Sequence, residues 1–214
     1  MILSDREIEA ALRRQAVIIT PPPPGIDDPT PAGQKSPWSS TTLDLRLHPE
    51  LTVWSPRGGD GAEVTFLHPD HPDFDFDSLL DKYATKHVIP SDGTYELERG
   101  DFVLGWTLEE IKLPSASRLA ARVEGKSSLA RLGIGIHVTA PTVHAGFGVK
   151  QNDSNHQGTR IRLEIVHHGY YPVKLRPGML VCQLVFEEVH GTPAKGYEER
   201  GRFSVQGATP LPKE

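Results

Sequence analysis

Residues 42–47, Thr42-Leu43-Asp44-Leu45-Arg46-Leu47, alternate polar and apolar without a break. A period of two puts the leucines on one side of an extended chain and Thr42, Asp44 and Arg46 on the other, which predicts a half-buried β-strand. Toward the C-terminus the same kind of short run recurs at Tyr95–Leu97, Phe102–Thr107, Arg118–Val123, Ile134–Val138, Ile161–Val166, Val173–Leu175 and Leu180–Glu187. Gly100, Pro114, Gly133, Pro141, Gly169 and Pro177-Gly178 separate most of these runs. Short strands divided by turn residues predict an all-β sandwich or barrel with Greek-key-like connections. Toward the N-terminus, Ser4-x-x-Glu7 forms a capping-box pattern, followed by Ile8, Ala11 and Leu12 at helical spacing. That pattern predicts a short helix over Asp5–Gln15, with Val17-Ile18-Ile19 as a strand after it. Pro21 to Pro24 impose an extended segment, and the one further helical stretch expected is short, around Ser127–Leu132.

The chain has 214 residues, enough for one domain with a sizeable core, and we read residues 1–214 as a single unit. Within it, residues 1–20 form the N-terminal helix and strand, and residues 196–214 form a polar tail. A net charge of −5, from 23 basic and 28 acidic residues, argues against a general nucleic-acid or membrane-surface binder. Any anionic ligand must be gripped locally. The single cysteine, Cys182, leaves no intramolecular disulfide and no multi-cysteine zinc site. The start Met1-Ile2-Leu3-Ser4-Asp5-Arg6 lacks a basic region leading into an apolar run, and no stretch reaches transmembrane length, so a cytoplasmic protein is expected.

Three segments stand apart from the strand pattern. His68-Pro69-Asp70-His71-Pro72-Asp73-Phe74-Asp75-Phe76-Asp77 has His and Asp at close spacing, which suits a divalent metal, but its prolines favour a solvated acidic loop. Gly58–Asp60 and the polar, glycine-bounded Gly148–Gly158 also read as loops. The tail carries Tyr197, Arg202, Phe203 and Gln206, side chains suited to folding over a ligand and excluding water.

The candidate chemistry lies in two places. Lys126-Ser127-Ser128-Leu129-Ala130-Arg131-Leu132-Gly133 packs two hydroxyls, a lysine and an arginine into one turn, the donors a polyanion requires. Glu164, in Arg160-Ile161-Arg162-Leu163-Glu164-Ile165, is a carboxylate in apolar sequence company, a setting suited to a general base.

Taken together these residues resemble the dCTP deaminases of the dUTPase-like superfamily, from the first residues to Gly207. The resemblance is carried by Ile2-Leu3-Ser4-Asp5-Arg6-Glu7-Ile8, Thr42–Leu47, Asp101-Phe102-Val103-Leu104-Gly105-Trp106-Thr107-Leu108-Glu109, Lys126–Gly133, His137-Val138-Thr139-Ala140, Leu163-Glu164-Ile165 and Arg176-Pro177-Gly178-Met179. It implies a distorted β-barrel or jelly roll, assembled as a homotrimer with active sites at subunit interfaces. It also implies zinc-independent hydrolytic deamination of dCTP to dUTP and ammonia, which feeds dUMP and dTTP synthesis. A zinc deaminase needs two or three cysteine ligands, and this chain has one cysteine.

By this resemblance Glu164 is the base that activates water against C4 of cytosine, with Ser127 and Arg131 beside it. Lys126, Ser128, Leu129, Ala130, Ala140, His144, Arg162, Leu163, Tyr197, Arg202 and Gln206 become nucleotide-binding positions, Ala140 through its carbonyl. Arg202 stands where a lysine is more usual, and Mg²⁺ is expected on the triphosphate. His144 occupies the place of an aspartate that meets the deoxyribose in the deaminases and orients the attacking water in the dUTPase branch. The exchange disfavours phosphate-ester attack, and Gly148–Gly158 is longer than the family's tight turn. Three readings stay open: a dCTP deaminase, a dUTPase or bifunctional deaminase–diphosphatase, and a nucleotide-sensing module without turnover. The histidines 137, 144, 156, 167 and 168 read as separate, with His167 and His168 on opposite faces of a strand.

Overall fold

The structure, a computed structural model, describes residues 1–55, 66–136, 139–151, 153, 155–192, 194 and 196–200. Gly58–Asp60, His137, Val138, Arg202, Phe203 and Gln206 lie outside the described residues. Helix α1 (Asp5–Arg13) begins at the capping box, where Ser4 Oγ accepts the Glu7 N–H at 3.4 Å. It stops before Gln15, which takes a left-handed φ of 58°. Strands β1 (Ile18–Thr20), β2 (Trp38–Ser39), β3 (Thr42–Arg46) and β4 (Glu50–Trp54) follow. Helix α2 (Phe76–Tyr83) leads into β5 (Ala84–Val88), β6 (Tyr95–Leu97), β7 (Phe102–Lys112) and β8 (Leu119–Gly125). The remaining elements are α3 (Ser127–Ala130), β9 (Ile134–Ile136), β10 (Thr142–Val143), β11 (Thr159–His167), β12 (Val173–Leu175), β13 (Leu180–Glu188) and α4 (Tyr197–Arg200).

One sheet runs β5-β4-β7-β11-β9, with β1 also paired to β7; a second runs β10-β8-β13-β3-β2; β12 pairs with β6. Leu45, Leu51, Val103, Val123, Leu163, Ile165, Leu184 and Phe186, drawn from both sheets, join one apolar cluster. The mainly β class with a short N-terminal helix is as predicted. No helix among the described residues is long and apolar enough to cross a membrane.

Two expectations change. The alternation at 42–47 predicts a half-buried strand, yet Thr42, Leu43, Asp44 and Leu45 are all buried. The proline-rich segment covers the polar side of β3: Pro24, Pro31 and Pro37 line the same small cavity as Asp44 and Arg46. The charges there are paired, Asp44 with Lys126, and Arg46 with the buried Glu109, whose carboxylate accepts from Arg46 Nε at 2.6 Å and from the Arg46 N–H at 2.9 Å. Polar character at β3 therefore marks buried ion pairs and not solvent.

The second change is α2. The loop expectation holds for the exposed turns before it, but Asp75 caps a helix by accepting the Ser78 N–H at 3.1 Å. Phe76, Leu79, Leu80 and Tyr83 sit at helical spacing, which the neighbouring prolines and acids masked.

At the loop 148–158, both ends lean on one carbonyl region. A side chain at Gly158 (φ 137°) would come within 2.7 Å of the Ile111 backbone, and Gly148 (φ 69°) is against the same carbonyl oxygen. Only glycine fits both places.

Candidate active site

Strand β11 alternates strictly: Ile161, Leu163 and Ile165 enter the core, while Arg160, Arg162, Glu164 and Val166 share the opposite face. The apolar neighbours of Glu164 in sequence thus point away from it. Its neighbours on the sheet are set by register, in which Glu164 faces Leu104 and Arg162 faces Trp106 on β7, and Leu104 in turn faces Thr52 on β4. A cleft of about 490 Å³ lies on this face, with Arg160, Arg162 and Glu164 on its floor. Trp54, Phe76, Phe102 and Leu104 form one wall, and Ala140, His144, Phe147 and Tyr197 form the other.

The floor is held firmly. Arg162 lies over the Trp106 ring at 4.2 Å and donates from Nη2 to Thr52 Oγ1 at 2.9 Å. Burial lowers its pKa, the charges of Glu50, Glu164 and Asp77 act the other way, and the guanidinium stays cationic. Arg160 is paired to Glu110 at 2.7 Å. Beneath it, His48 is buried and accepts the Glu50 N–H on Nδ1 at 3.1 Å, which puts the hydrogen of the neutral ring on Nε2. Burial, assisted by the Arg160 cation, lowers its pKa to about 4. The Nε–H groups of Arg160 and Arg162 are buried with no acceptor among the described residues, donors that a bound molecule can meet.

The far wall is aromatic. His144 and Tyr197 stack at 5.2 Å with an interplanar angle of 18°, Phe147 stands 6.1 Å from Tyr197, and the Tyr197 N–H donates to the Ala145 carbonyl at 3.3 Å. The first residue of α4 is thereby docked on the cleft. Trp54 and Phe76 meet edge to face at 6.5 Å on the near wall.

Of the residues named from sequence, Ala140, His144, Arg162, Glu164 and Tyr197 meet in this cleft. Leu163 does not: its side chain is fully buried on the core face, so only its backbone is available to a ligand. Lys126, Ser127, Ser128, Leu129, Ala130 and Arg131 are not among the residues lining the cleft. Lys126 is paired to Asp44, Leu129 packs on the core, and Ser127, Ser128, Ala130 and Arg131 are exposed around α3. Sequence reasoning missed Arg160, Trp54, Phe76 and Phe147. For Arg160 the signal was present, since it shares the period of two with Glu164.

His167 is fully buried and His168 exposed, as the alternation of β11 requires, and no three His, Cys, Asp or Glu among the described residues gather as a metal site. Cys182 is fully buried and burial pushes its thiol far up, with the charges of Glu109 and Asp44 adding to the effect.

A family model described as dCTP deaminase-like matches residues 2–189. The chain belongs to the dCTP deaminase-like family. It is similar to the dCTP deaminase of Pectobacterium atrosepticum, 33% identical over 201 residues that cover 94% of this chain and 90% of that one. It is equally similar to the dUMP-forming dCTP deaminase of Halobacterium salinarum, 33% identical over 202 residues, with 94% and 88% covered. The dCTP deaminase of Haloarcula marismortui is 36% identical over 209 residues, with 96% and 91% covered. Among solved structures, the 2′-deoxycytidine 5′-triphosphate deaminase of Agrobacterium tumefaciens shares the fold, with a TM-score of 0.56 and 20% identity over 88% of this chain and 48% of that one.

Proposed function

We propose that the protein is a dCTP deaminase, a hydrolase acting on the cytosine ring. The observation that carries this reading is Glu164, standing on the floor of an aromatic-walled cleft in a chain that belongs to the dCTP deaminase-like family. Stacked rings suit a planar base, and a carboxylate beside them suits proton transfer at C4. Glu164 takes a proton from water as the C4–O bond forms, and delivers it to N3. It then moves the hydroxyl proton to the amino group, so that the C4–N bond breaks and ammonia leaves a uracil ring. Zinc has no part in this sequence.

The donors of residues 126–131 enter the site from a neighbouring copy, in a homotrimer with sites at the subunit interfaces. The exposure of Ser127, Ser128 and Arg131 and their absence from their own cleft support that arrangement. Ser127 and Arg131 serve the attacking water and the developing charge, and Ser128 with the tail residues Tyr197, Arg202 and Gln206 serves the triphosphate. In this reading Mg²⁺ travels on the triphosphate, and no step is assigned to it. The protein works in the cytoplasm.

The relatives include a dCTP deaminase and a dUMP-forming dCTP deaminase, each 33% identical, so identity does not choose the product. His144 supports dUTP as the expected product, since it stands on the cleft wall where the resemblance implies an aspartate. Incubation of the wild type with dCTP should release ammonia and dUTP without pyrophosphate. An active Glu164→Gln variant would overturn the assignment of the base.

A further inference from the structure

We propose that Asp44 is a positioning residue for the reaction: it acts through Lys126, which anchors the donor turn to β3 and is not a ligand of the triphosphate. The inference rests on the reading that this turn serves dCTP deamination, and it divides the donors. Ser127, Ser128 and Arg131 reach the ligand, and Lys126 holds them. Three observations carry it. First, Lys126 Nζ is paired with Asp44 Oδ2, and the pair is largely closed to solvent, with side chains 20% and 6% exposed. Second, the pairing spans the sheet. Strand β13 lies between β3 and β8, the strand that Lys126 follows, so the lysine crosses two strand spacings, about 10 Å, to meet Asp44. That reach takes up its four-carbon stem. Third, the anchored and the exposed residues of the turn interleave. The Lys126 carbonyl accepts the Leu129 and Ala130 N–H groups at 2.9 Å each, Leu129 packs on the core, and the Gly133 carbonyl accepts the His168 N–H at 2.8 Å. Ser127, Ser128 and Arg131, between these anchors, are exposed.

Asp44 is itself firmly placed. Its N–H donates to the Pro37 carbonyl at 2.8 Å, and the register sets it opposite Gln183 of β13. The neighbouring cation of β3, Arg46, is engaged by Glu109 at 2.6 Å. Loss of either charge of the pair leaves the other buried without its partner, and the start of α3 loses its tie to the sheet. The turn then presents Ser127 and Arg131 less closely to the geometry that the reaction needs, and a misplacement on the order of 1 Å lowers turnover. A lysine that gripped phosphate would act otherwise: its loss would raise KM and spare kcat, and Asp44 would not matter.

The test is a double-mutant cycle in the full-length protein, with kcat and KM for dCTP deamination read separately. Lys126→Met and Asp44→Asn should each lower kcat by about tenfold, a larger change than in KM, and the double variant should lose no more than either. A rise in KM alone for Lys126→Met, with Asp44→Asn at the wild-type values, makes Lys126 a phosphate ligand and overturns the proposal. Losses that add in the double variant overturn it too. If Asp44→Asn does not accumulate as folded protein, Lys126→Met and the double variant decide, since neither leaves the lysine charge buried. Equal losses in kcat support the proposal, and unequal losses or a rise in KM alone overturn it. Amine acylation read by mass spectrometry follows the anchor without turnover: Lys126 should react about tenfold more slowly than Lys174, whose side chain is 66% exposed. A Lys126 as reactive as Lys174 overturns the proposal whatever the reaction. Failure of the dCTP deaminase reading is separately visible, as a wild type that releases no ammonia from dCTP.

Discussion

The outer face of β11 and the turn around α3 are both rich in charge, and they are built in opposite ways. On β11, one copy of the chain supplies the carboxylate, the two arginines and the aromatic walls of a single cleft, with an indole beneath one of the arginines. Around α3, the cation that is fixed, Lys126, is bound to Asp44 of β3, and Ser127, Ser128 and Arg131 face outward. In the homotrimer proposed above, the base stays inside one subunit and its anion donors come from another. On that proposal the two regions respond differently to substitution. Damage to the β11 face would be confined to the copy that carries it, whereas damage to the turn would be felt next door.

The largest effect expected is that of Glu164→Gln, which preserves shape and removes the proton acceptor. A loss of about 10³-fold in kcat is expected, with dCTP binding retained, measured by ammonia release and by equilibrium titration. Loss of binding instead would turn Glu164 into a ligand contact.

Mixing tests the division between the regions directly. Arg131→Ala alone should lose about 10²-fold. Glu164→Gln and Arg131→Ala proteins, co-refolded in equal amounts, should recover about a quarter of wild-type activity, because one interface in four unites an intact Glu164 with an intact Arg131 from another copy. If both residues served the same copy, no intact site would form and the mixture would stay inactive.

How much of this was legible beforehand follows from the range of the interactions involved. The strands were readable because apolar alternation is a local property, and Glu164 was readable as the one carboxylate on a strand whose alternate positions are Ile161, Leu163 and Ile165. The inference drawn from those neighbours was less secure, since alternation sends them into the core and replaces them with Arg162 and Leu104. Arg162 needs Trp106 and Thr52 to become a fixed cation, and these lie 56 and 110 residues away along the chain. No window along the sequence contains that seat. The same holds at β3, where Asp44 and Arg46 read as solvent-facing until Lys126, Glu109 and the proline-rich segment cover them. Helix α2 is a different case: its spacing at Phe76, Leu79, Leu80 and Tyr83 was local, and the prolines before it drew attention away.

Beneath the β11 face, His48 offers a smaller and purely structural test. Its pKa is lowered from 6.5 to about 4, so it stays neutral in the folded protein while the unfolded chain takes up a proton. The unfolded state therefore binds more protons as pH falls from about 6.5 toward about 4, and stability declines over that window by at most about 3 kcal/mol. Urea unfolding of wild type and His48→Gln at pH 7 and pH 4.5 should show a steeper loss in the wild type. Equal losses would mean that His48 titrates alike in both states.

The smallest effect concerns the wall that α4 adds to the cleft. Tyr197 stacks on His144 at 5.2 Å and leans on Phe147, a contact worth about 1 kcal/mol beyond the area it covers. Tyr197→Ala should therefore raise the KM for dCTP by about fivefold and leave the Tm near the wild-type value. Tyr197→Phe keeps the ring and loses the hydroxyl, which separates the two roles the side chain can have. A KM near wild type in Tyr197→Phe makes it a stacking wall, complete within one copy like the rest of the β11 cleft. A KM as high as that of Tyr197→Ala makes the hydroxyl a triphosphate donor, and then Tyr197 acts together with the donors of the neighbouring turn.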